Sequence, residues 1–287
     1  METQKIDQHG SKGTLYLVPT PIGNLEDMTF RAVKTLKNVD LIAAEDTRNT
    51  QKLLNHFEID TKQISFHEHN TQQRLPQLLE KLQSGQSIAQ VSDAGMPSIS
   101  DPGKELVAAC ISADIPVVPL PGPNAGLTAL IASGIEPQPF LFYGFLPRKK
   151  SEQRQALQNL KNETATMIFY ESPFRIEDTL QNMAQVFESK RQVVVARELT
   201  KKFEEFIRSD LGSINEELTQ HVLKGEFVLI VAGADGEMAP VQLSDAQIIA
   251  AIQAEIDRGV QPNVAIKTIA KQVGRKKQVI YNLFHQI

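Results

Sequence analysis

From Thr14 to about Ser133, short apolar runs alternate with stretches of helical spacing, and nothing else in the chain restricts its fold as strongly. Residues 14–18, 39–44, 64–67, 87–91 and 115–120 read as strands. Residues 29–36, 48–57, 72–82, 104–113 and 125–132 carry apolar residues on one helical face. Strands alternating with helices predict a parallel α/β sheet with crossover connections. The chain has 287 residues, which allows two medium domains and a small appendage.

The second half has more strands per helix. Runs at 140–145, 166–170, 192–196, 203–207 and 227–232 read as strands, and 151–160, 176–187 and 214–223 as helices. A mixed sheet is expected. The proline-bearing stretch 134–139 separates the halves, and Ala234–Pro240 is a second linker. The expected division is a disordered tail at 1–13, α/β domains at 14–134 and 138–233, and a helical module at 242–287. In that module Ser244 caps a helix to Arg258, and Ala270, Gly274 and Ile280 have helix–turn–helix spacing.

The formal net charge is −4, so global charge does not advertise nucleic-acid binding. Locally the balance reverses. From Pro262 to Ile287 there are five basic residues (Lys267, Lys271, Arg275, Lys276, Lys277) and no Asp or Glu. Pattern and charge together favour a nucleic-acid-facing surface over a solvated basic face. Cys110 stands alone, which excludes an internal disulfide, and sits in an apolar helical pattern as a core residue. No apolar run approaches a membrane span and the polar start carries no signal region, so a soluble cytoplasmic protein is the default.

Four strand ends in the first half open into turn-rich loops: Pro19–Asn24, Glu45–Arg48, Asp93–Gly103 and Pro121–Ala125. Loops at the carboxyl ends of strands are where open α/β sheets bind small ligands. The third is longer than a strand-to-helix connection needs. Its Gly95 permits close approach, Asp93 offers a carboxylate, and Pro102 can begin the next helix. Asp46 or Thr47 could equally be a helix cap. His67 and His69 lack the further ligands a metal site would need and read as hydrogen-bonded or solvent-facing. Neither a Walker pattern nor Gly-x-Gly-x-x-Gly occurs, and the loops are poor in Lys and Arg. A small zwitterion with a cationic centre and an adenosine suits them better than a triphosphate or dinucleotide. From the residues alone the reading ends at a small ligand in the α/β loops and nucleic acid at the C-terminus.

The stretches Leu15–Leu25, Ala44–Arg48, Val91–Gly103, Pro121–Ala125, Phe169–Pro173 and Gly225-Glu226 together resemble the tetrapyrrole methylase superfamily of S-adenosylmethionine-dependent methyltransferases. Within it the chain resembles the ribosomal RNA small subunit methyltransferase I family. The loop Pro19–Asn24 lacks the glycine-rich first loop usual in tetrapyrrole-modifying members, which fits the RNA branch. The resemblance implies two α/β domains of the class III methyltransferase type with the cofactor between them, a homodimer, and 2′-O-methylation of a cytidine in the decoding region of small-subunit RNA. It implies cofactor contacts from Pro21, Gly23, Asp93, Ala94, Gly95, Ser98, Ile99, Asn124 and Ala125, with Tyr170 and Glu198 from the second domain. No metal is implied.

A ribose hydroxyl is a poor nucleophile, and a general base would help its attack on a sulfonium methyl. Glu45, Asp46, His67 and Glu68, at strand ends beside the expected cleft, are the candidates. Arg48 would orient a carboxylate or hold a phosphate. Arg148, Lys149, Lys150, Arg175, Lys271, Arg275, Lys276 and Lys277 would bind the RNA backbone. Three alternatives stay open: a tetrapyrrole or protein methyltransferase of the same superfamily, a ligand-sensing RNA-binding protein without catalysis, and a metal hydrolase using His67, Glu68 and His69.

Overall fold

The computed structural model describes residues 12–100, 103–221, 224–234 and 243–285. Most of the expected N-terminal tail, Asp101 and Pro102 of the long loop, and most of the second linker lie outside the described residues, as does the side chain of Lys271.

The first sheet contains β1 (Leu15–Leu17), β2 (Leu41–Ala44), β3 (Gln63–Ser65), β4 (Ile88–Val91) and β5 (Val117–Pro119). Its order is β3-β2-β4-β1-β5, and all pairings are parallel. Helices α1 (Phe30–Asn38), α2 (Thr47–His56), α3 (Thr71–Gln83), α4 (Lys104–Ser112) and α5 (Ala125–Ser133) follow the strands. Alternate residues of each strand face opposite sides. Ile42 and Ala44 pack with Ala32, Leu36, Leu53 and Leu54 of α1 and α2. Leu41 and Ala43 pack with Leu78, Leu82, Leu106 and Cys110 of α3 and α4. Both faces being covered explains why β2 is apolar and buried at every position rather than alternating. The chain leaves β1 and β2 toward one edge and β4 toward the other, so loops diverge at the carboxyl end of β4. That divergence is the switch point where such sheets bind ligands.

The second sheet contains β6 (Phe140–Phe145), β7 (Thr166–Glu171), β8 (Gln192–Arg197), β9 (Glu205–Asp210) and β10 (Phe227–Val231), in the order β6-β7-β10-β8-β9. Strands β6 and β7 are parallel and the other pairs antiparallel, the mixed sheet expected from the sequence. One face is covered by α6 (Lys150–Asn159), α7 (Ile176–Val186) and α8 (Ile214–Leu218). The other face, with Ile168, Val194, Ala196, Val228 and Ile230, is covered by Ala129 and Leu130 of α5. This accounts for the apolar face of α5 that carries Ala129 and Leu130. The helix belongs to the first unit in sequence and to the core of the second in space. Burying a side chain such as Leu130 stabilises the pairing by about 1.5–3 kcal/mol.

Three helices close the chain: α9 (Asp245–Asp257), α10 (Pro262–Gln272) and α11 (Lys277–His285). Ser244 caps α9 in a reciprocal capping box with Gln247. Ile248, Ile252, Ile266, Ile269 and Ile280 form a separate small core.

Several boundaries differ from expectation by two or more residues, and side chains or turns account for three of them. Strand β3 stops at Ser65 because His67 and Asn70 turn the chain into a single helical turn. Strand β9 begins at Glu205, where Arg197 pairs with its carboxylate at 3.1 Å, because Glu204 is drawn back to accept from the Thr200 N–H at 2.6 Å. Helix α8 ends at Leu218, where Thr219 and Gln220 form turns.

Candidate active site

The loops after β1 and β4 are joined by a two-way backbone bridge. Thr20 N–H donates to Gly95 O and Gly95 N–H to Thr20 O, each at 3.0 Å. The Thr20 hydroxyl donates to Ser92 O at 2.9 Å. Gly95 has φ +77°, a region that disfavours a side chain. Ser98 adopts φ +70° without being glycine. Such backbones persist only where surroundings hold them, and they gather at functional loops.

Asp93 ties this loop to the end of β2. Its N–H donates to Glu45 Oε2 at 3.2 Å. Its carboxylate accepts from Asp46 N–H at 3.2 Å and from Asn49 Nδ2 at 3.0 Å. Asn124 caps α5 by accepting from Leu127 N–H at 2.9 Å. From the second sheet, Tyr170 Oη accepts from Gly126 N–H at 3.1 Å.

These loops enclose a cleft of about 370 Å³ between the two sheets. The first unit contributes Glu45, Asp93, Ala94, Gly95, Ile99, Asn124 and Ala125, and the second Tyr170, all singled out by sequence. Ile22, Met96 and Ser100 also line it, beside expected positions rather than at them. Sequence reasoning assigned no role to Phe145, Leu199, Phe227 or Val228 in its walls. Glu171-Ser172-Pro173 and Gly225-Glu226 also line it; their signal lay in the motif stretches, which carried no residue roles. The floor is apolar, four carboxylates (Glu45, Asp93, Glu171, Glu226) surround it, and among the described residues no Lys or Arg lines it. Such walls suit a ligand with a positive centre and disfavour a phosphate.

Glu171 is almost fully buried. Its carboxylate accepts from Ser172 N–H at 2.8 Å and Thr179 Oγ1 at 2.7 Å. Thr179 in turn accepts from Gln153 Nε2 at 2.9 Å, and Gln153 Oε1 accepts from Asn182. A satisfied chain of this kind holds the wall rigid.

The remaining expected residues stand outside the cleft lining. Pro21 sits beside Ile22, which faces the cleft in its place. Gly23 lies against the second sheet's loop: a Cβ there would fall 2.5 Å from Lys201 Cγ. Ser98 holds the strained turn, its Oγ 3.4 Å from Gln90 Nε2. Glu198, with φ +51°, backs the wall. Its carboxylate accepts from Lys201 Nζ at 2.9 Å and Glu226 N–H at 3.2 Å. Burial pushes the Glu198 pKa up, but these two donors outweigh it and hold the group below its ordinary value.

Of the four candidate bases, Glu45 alone lines the cleft. Asp46 is the cap of α2, its Oδ1 accepting from Arg48 N–H at 2.8 Å. The Arg48 guanidinium, 2.6 Å from Oδ2, lowers the Asp46 pKa to about 2. His67 is turned toward Asn70, their side-chain nitrogens 3.1 Å apart, and Glu68 is exposed beside it. Among the described residues no group of three His, Cys, Asp or Glu is placed to hold a metal.

The basic residues fall in separate places. Arg48 is exposed at the start of α2 and paired to Asp46. Arg148, Lys149 and Lys150 are exposed after β6, Lys149 pairing with Glu152 and Lys150 with Asp178. Arg175 turns inward to the carbonyls of Leu146 and Pro147 at 3.1 and 3.0 Å. Arg275, Lys276 and Lys277 are exposed between α10 and α11, and Arg275 also pairs with Asp245 at 2.7 Å. Among the described residues no helix is long and apolar enough to cross a membrane.

Residues 14–215 match the family model for tetrapyrrole (corrin/porphyrin) methylases. The chain is 56% identical over the full length of both chains to a protein of Streptococcus pyogenes serotype M1 named ribosomal RNA small subunit methyltransferase I. It is 50% identical, again over full length, to the protein of that name from Halalkalibacterium halodurans. Among solved structures, uroporphyrin-III C-methyltransferase from Thermus thermophilus, complexed with S-adenosylhomocysteine, aligns with TM-score 0.54 at 16% identity. That alignment covers 77% of this chain and 97% of that one, a likeness of fold. The parallel sheet with its diverging loops, the cleft those loops share with a mixed sheet, and these full-length matches place the chain in the ribosomal RNA small subunit methyltransferase I family of tetrapyrrole methylases.

Proposed function

We propose that the protein transfers a methyl group from S-adenosylmethionine to a ribose 2′-oxygen of a cytidine in the decoding region of small-subunit ribosomal RNA. The observation that carries this reading is the composition of the cleft. A cofactor with an adenosine and two positive centres matches apolar walls ringed by carboxylates and, among the described residues, free of Lys and Arg. Bound there, it would supply an electrophilic methyl on a sulfonium.

The chain's part is positioning and proton removal. Ile22, Met96, Leu199 and Val228 would exclude water from the reacting atoms. Backbone at Gly95 and Asn124 can approach a ligand closely. Glu45 is the base this geometry favours. It lines the cleft, and its Oε2 is oriented by the Asp93 N–H, so its carboxylate can take the hydroxyl proton as the new carbon–oxygen bond forms. RNA would approach across Arg148–Lys150, with the helical module adding Lys267, Lys271, Arg275, Lys276 and Lys277. The substrate is engaged in the cytoplasm, as naked RNA or within the small subunit. The reading includes a homodimer. Leu127 and Ile131, one turn apart on α5, are 44% and 81% exposed, an apolar stripe that suits burial against a second copy.

The test is transfer of labelled methyl to purified small ribosomal subunits, naked ribosomal RNA and a tetrapyrrole precursor, followed by digestion of the product. Label on a ribose 2′-oxygen is the expected outcome. Transfer to the tetrapyrrole alone would sink the reading. Sedimentation of the same preparation measures the dimer.

A further inference from the structure

Phe174 is 95% exposed, and it follows Glu171-Ser172-Pro173, which line the cleft. Its backbone is pinned nonetheless. The N–H groups of Arg175 and Ile176 both donate to Ser172 O at 3.1 Å, and the Ile176 side chain is fully buried at the start of α7. The Arg175 guanidinium binds the carbonyls of Leu146 and Pro147 and lies 3.4 Å from the buried Glu171 carboxylate. One side chain therefore clamps the Phe174 turn to the loop that carries Arg148, Lys149 and Lys150. A second aromatic, Phe145, is 55% exposed in the cleft wall and meets Tyr170 edge-on at 5.6 Å.

Two aromatic faces beside three cations is the combination that holds single-stranded nucleic acid: rings stack bases while cations track phosphates. Arg148 makes no ion pair among the described residues. The pairs of Lys149 and Lys150 are solvent-exposed, with lysine side chains 78% and 67% accessible, so both can be exchanged for phosphates at little cost. An apolar protein partner would be poorly matched to a ring flanked by charge. Phe174 is also too exposed to serve the fold: its ring contributes almost nothing to the core.

We propose that Phe174 is a stacking platform for an unpaired base of the RNA substrate next to the ribose in the cleft, with Arg148 on the adjoining phosphate. This rests on the reading above that the substrate is RNA. Phe174 is a positioning residue and touches no reacting atom.

The test compares the full-length wild type with F174A, F174L, F174W and R148A. Three quantities are read: steady-state methyl transfer to purified small subunits, cofactor affinity by calorimetry, and fluorescence quenching of a single-stranded RNA carrying 2-aminopurine. F174A is expected to raise the KM for subunits about 5- to 150-fold, the range for loss of one stacked base. Cofactor affinity should be unchanged, which also verifies folding. F174W should restore both KM and quenching, F174L neither. R148A should raise KM but keep the quenching. A wild-type KM in F174A would overturn the inference, as would F174L behaving like wild type, since an apolar contact to protein would then suffice. Quenching without any transfer to RNA would remove the functional reading and leave the platform standing. Neither quenching nor transfer would remove both.

Discussion

Tyr170 Oη accepts a hydrogen bond from the N–H of Gly126 at 3.1 Å, joining the second sheet to the first turn of α5. A Cβ at Gly126 would come within 3.2 Å of Ile168 Cγ2, a tight contact that the neighbour would have to relieve by a small shift. The bond takes up one of the amide donors that a helix start leaves without a partner. It also fixes Tyr170 as a wall of the cleft. Tyr170→Phe should cost about 1 kcal/mol of stability, as for a typical lost hydrogen bond, and should weaken cofactor binding. Urea unfolding and calorimetry check the two effects. Unchanged cofactor affinity would mean that the bond serves packing alone.

Lys201 Nζ lies 2.9 Å from Glu198 Oε1 and 3.1 Å from Glu226 Oε2, with Gly23 of the other unit packed on its stem. Burial pulls the Lys201 pKa down, but the two carboxylates outweigh it and hold the group above its ordinary value. Glu198 is held below its own. The signs give a window. The contribution of Glu198 is present above its unfolded pKa of about 4.3 and fades as pH falls through the depressed folded value. That of Lys201 is full below its unfolded pKa of about 10.4 and fades as pH rises through the raised folded value. The stability difference between wild type and Lys201→Met should therefore be flat across neutral pH and shrink at both ends. Denaturant titrations over a pH series measure it, and a difference independent of pH would show that only the aliphatic stem matters.

Glu45 and Asp46 are neighbours with different work. Glu45→Gln should lower kcat for methyl transfer by about 10²- to 10⁴-fold, the range for a general base, with little change in cofactor affinity. Asp46→Asn keeps an acceptor for the α2 cap and should leave kcat nearly intact. Single-turnover rates separate these outcomes. A larger loss for Asp46→Asn than for Glu45→Gln would reverse the assignment.

The helical module has its own core in α9–α11, and its described basic residues are not among those that line the cleft. A chain ending at Ala234 should bind S-adenosylmethionine normally and bind RNA less tightly. The slope of log affinity against log salt should shrink by about 0.7 for each phosphate contact removed. An unchanged slope would assign the module to contacts other than phosphate.

Much of the fold was legible because it rests on local periodicity. Ile42–Ala44 is apolar at every position and must be buried on both faces, while α1 reads with Phe30, Val33 and Leu36 on one face; Leu36 is buried there, but Phe30 at the helix start is 98% exposed. Two of the boundaries that moved did so through side chains: His67 and Asn70 end β3, and Glu204 delays β9. The cleft was half legible. Loops with Asp93, Gly95 and Asn124 announced themselves by position and length, since they follow the carboxyl ends of parallel strands and the one after β4 is longer than a strand-to-helix connection needs. Leu199, Phe227 and Val228 look like core residues in the chain, and nothing local distinguishes one that faces a cleft from one that faces a helix.

Sequence alone determined the element types, the parallel first sheet, the mixed second one, the basic helical module and, through motif stretches, the family. Tertiary structure decided which residues meet. That α5 covers the second sheet, that Gly23 abuts Lys201, that Arg175 clamps the Phe174 turn to the basic loop, and that Glu45 reaches the cleft while Asp46 caps a helix all depend on contacts between segments far apart in the chain. Periodicity reports only which face of an element is buried. The partner it is buried against is set by the packing of the whole, and the chemistry of the cleft resides in those pairings.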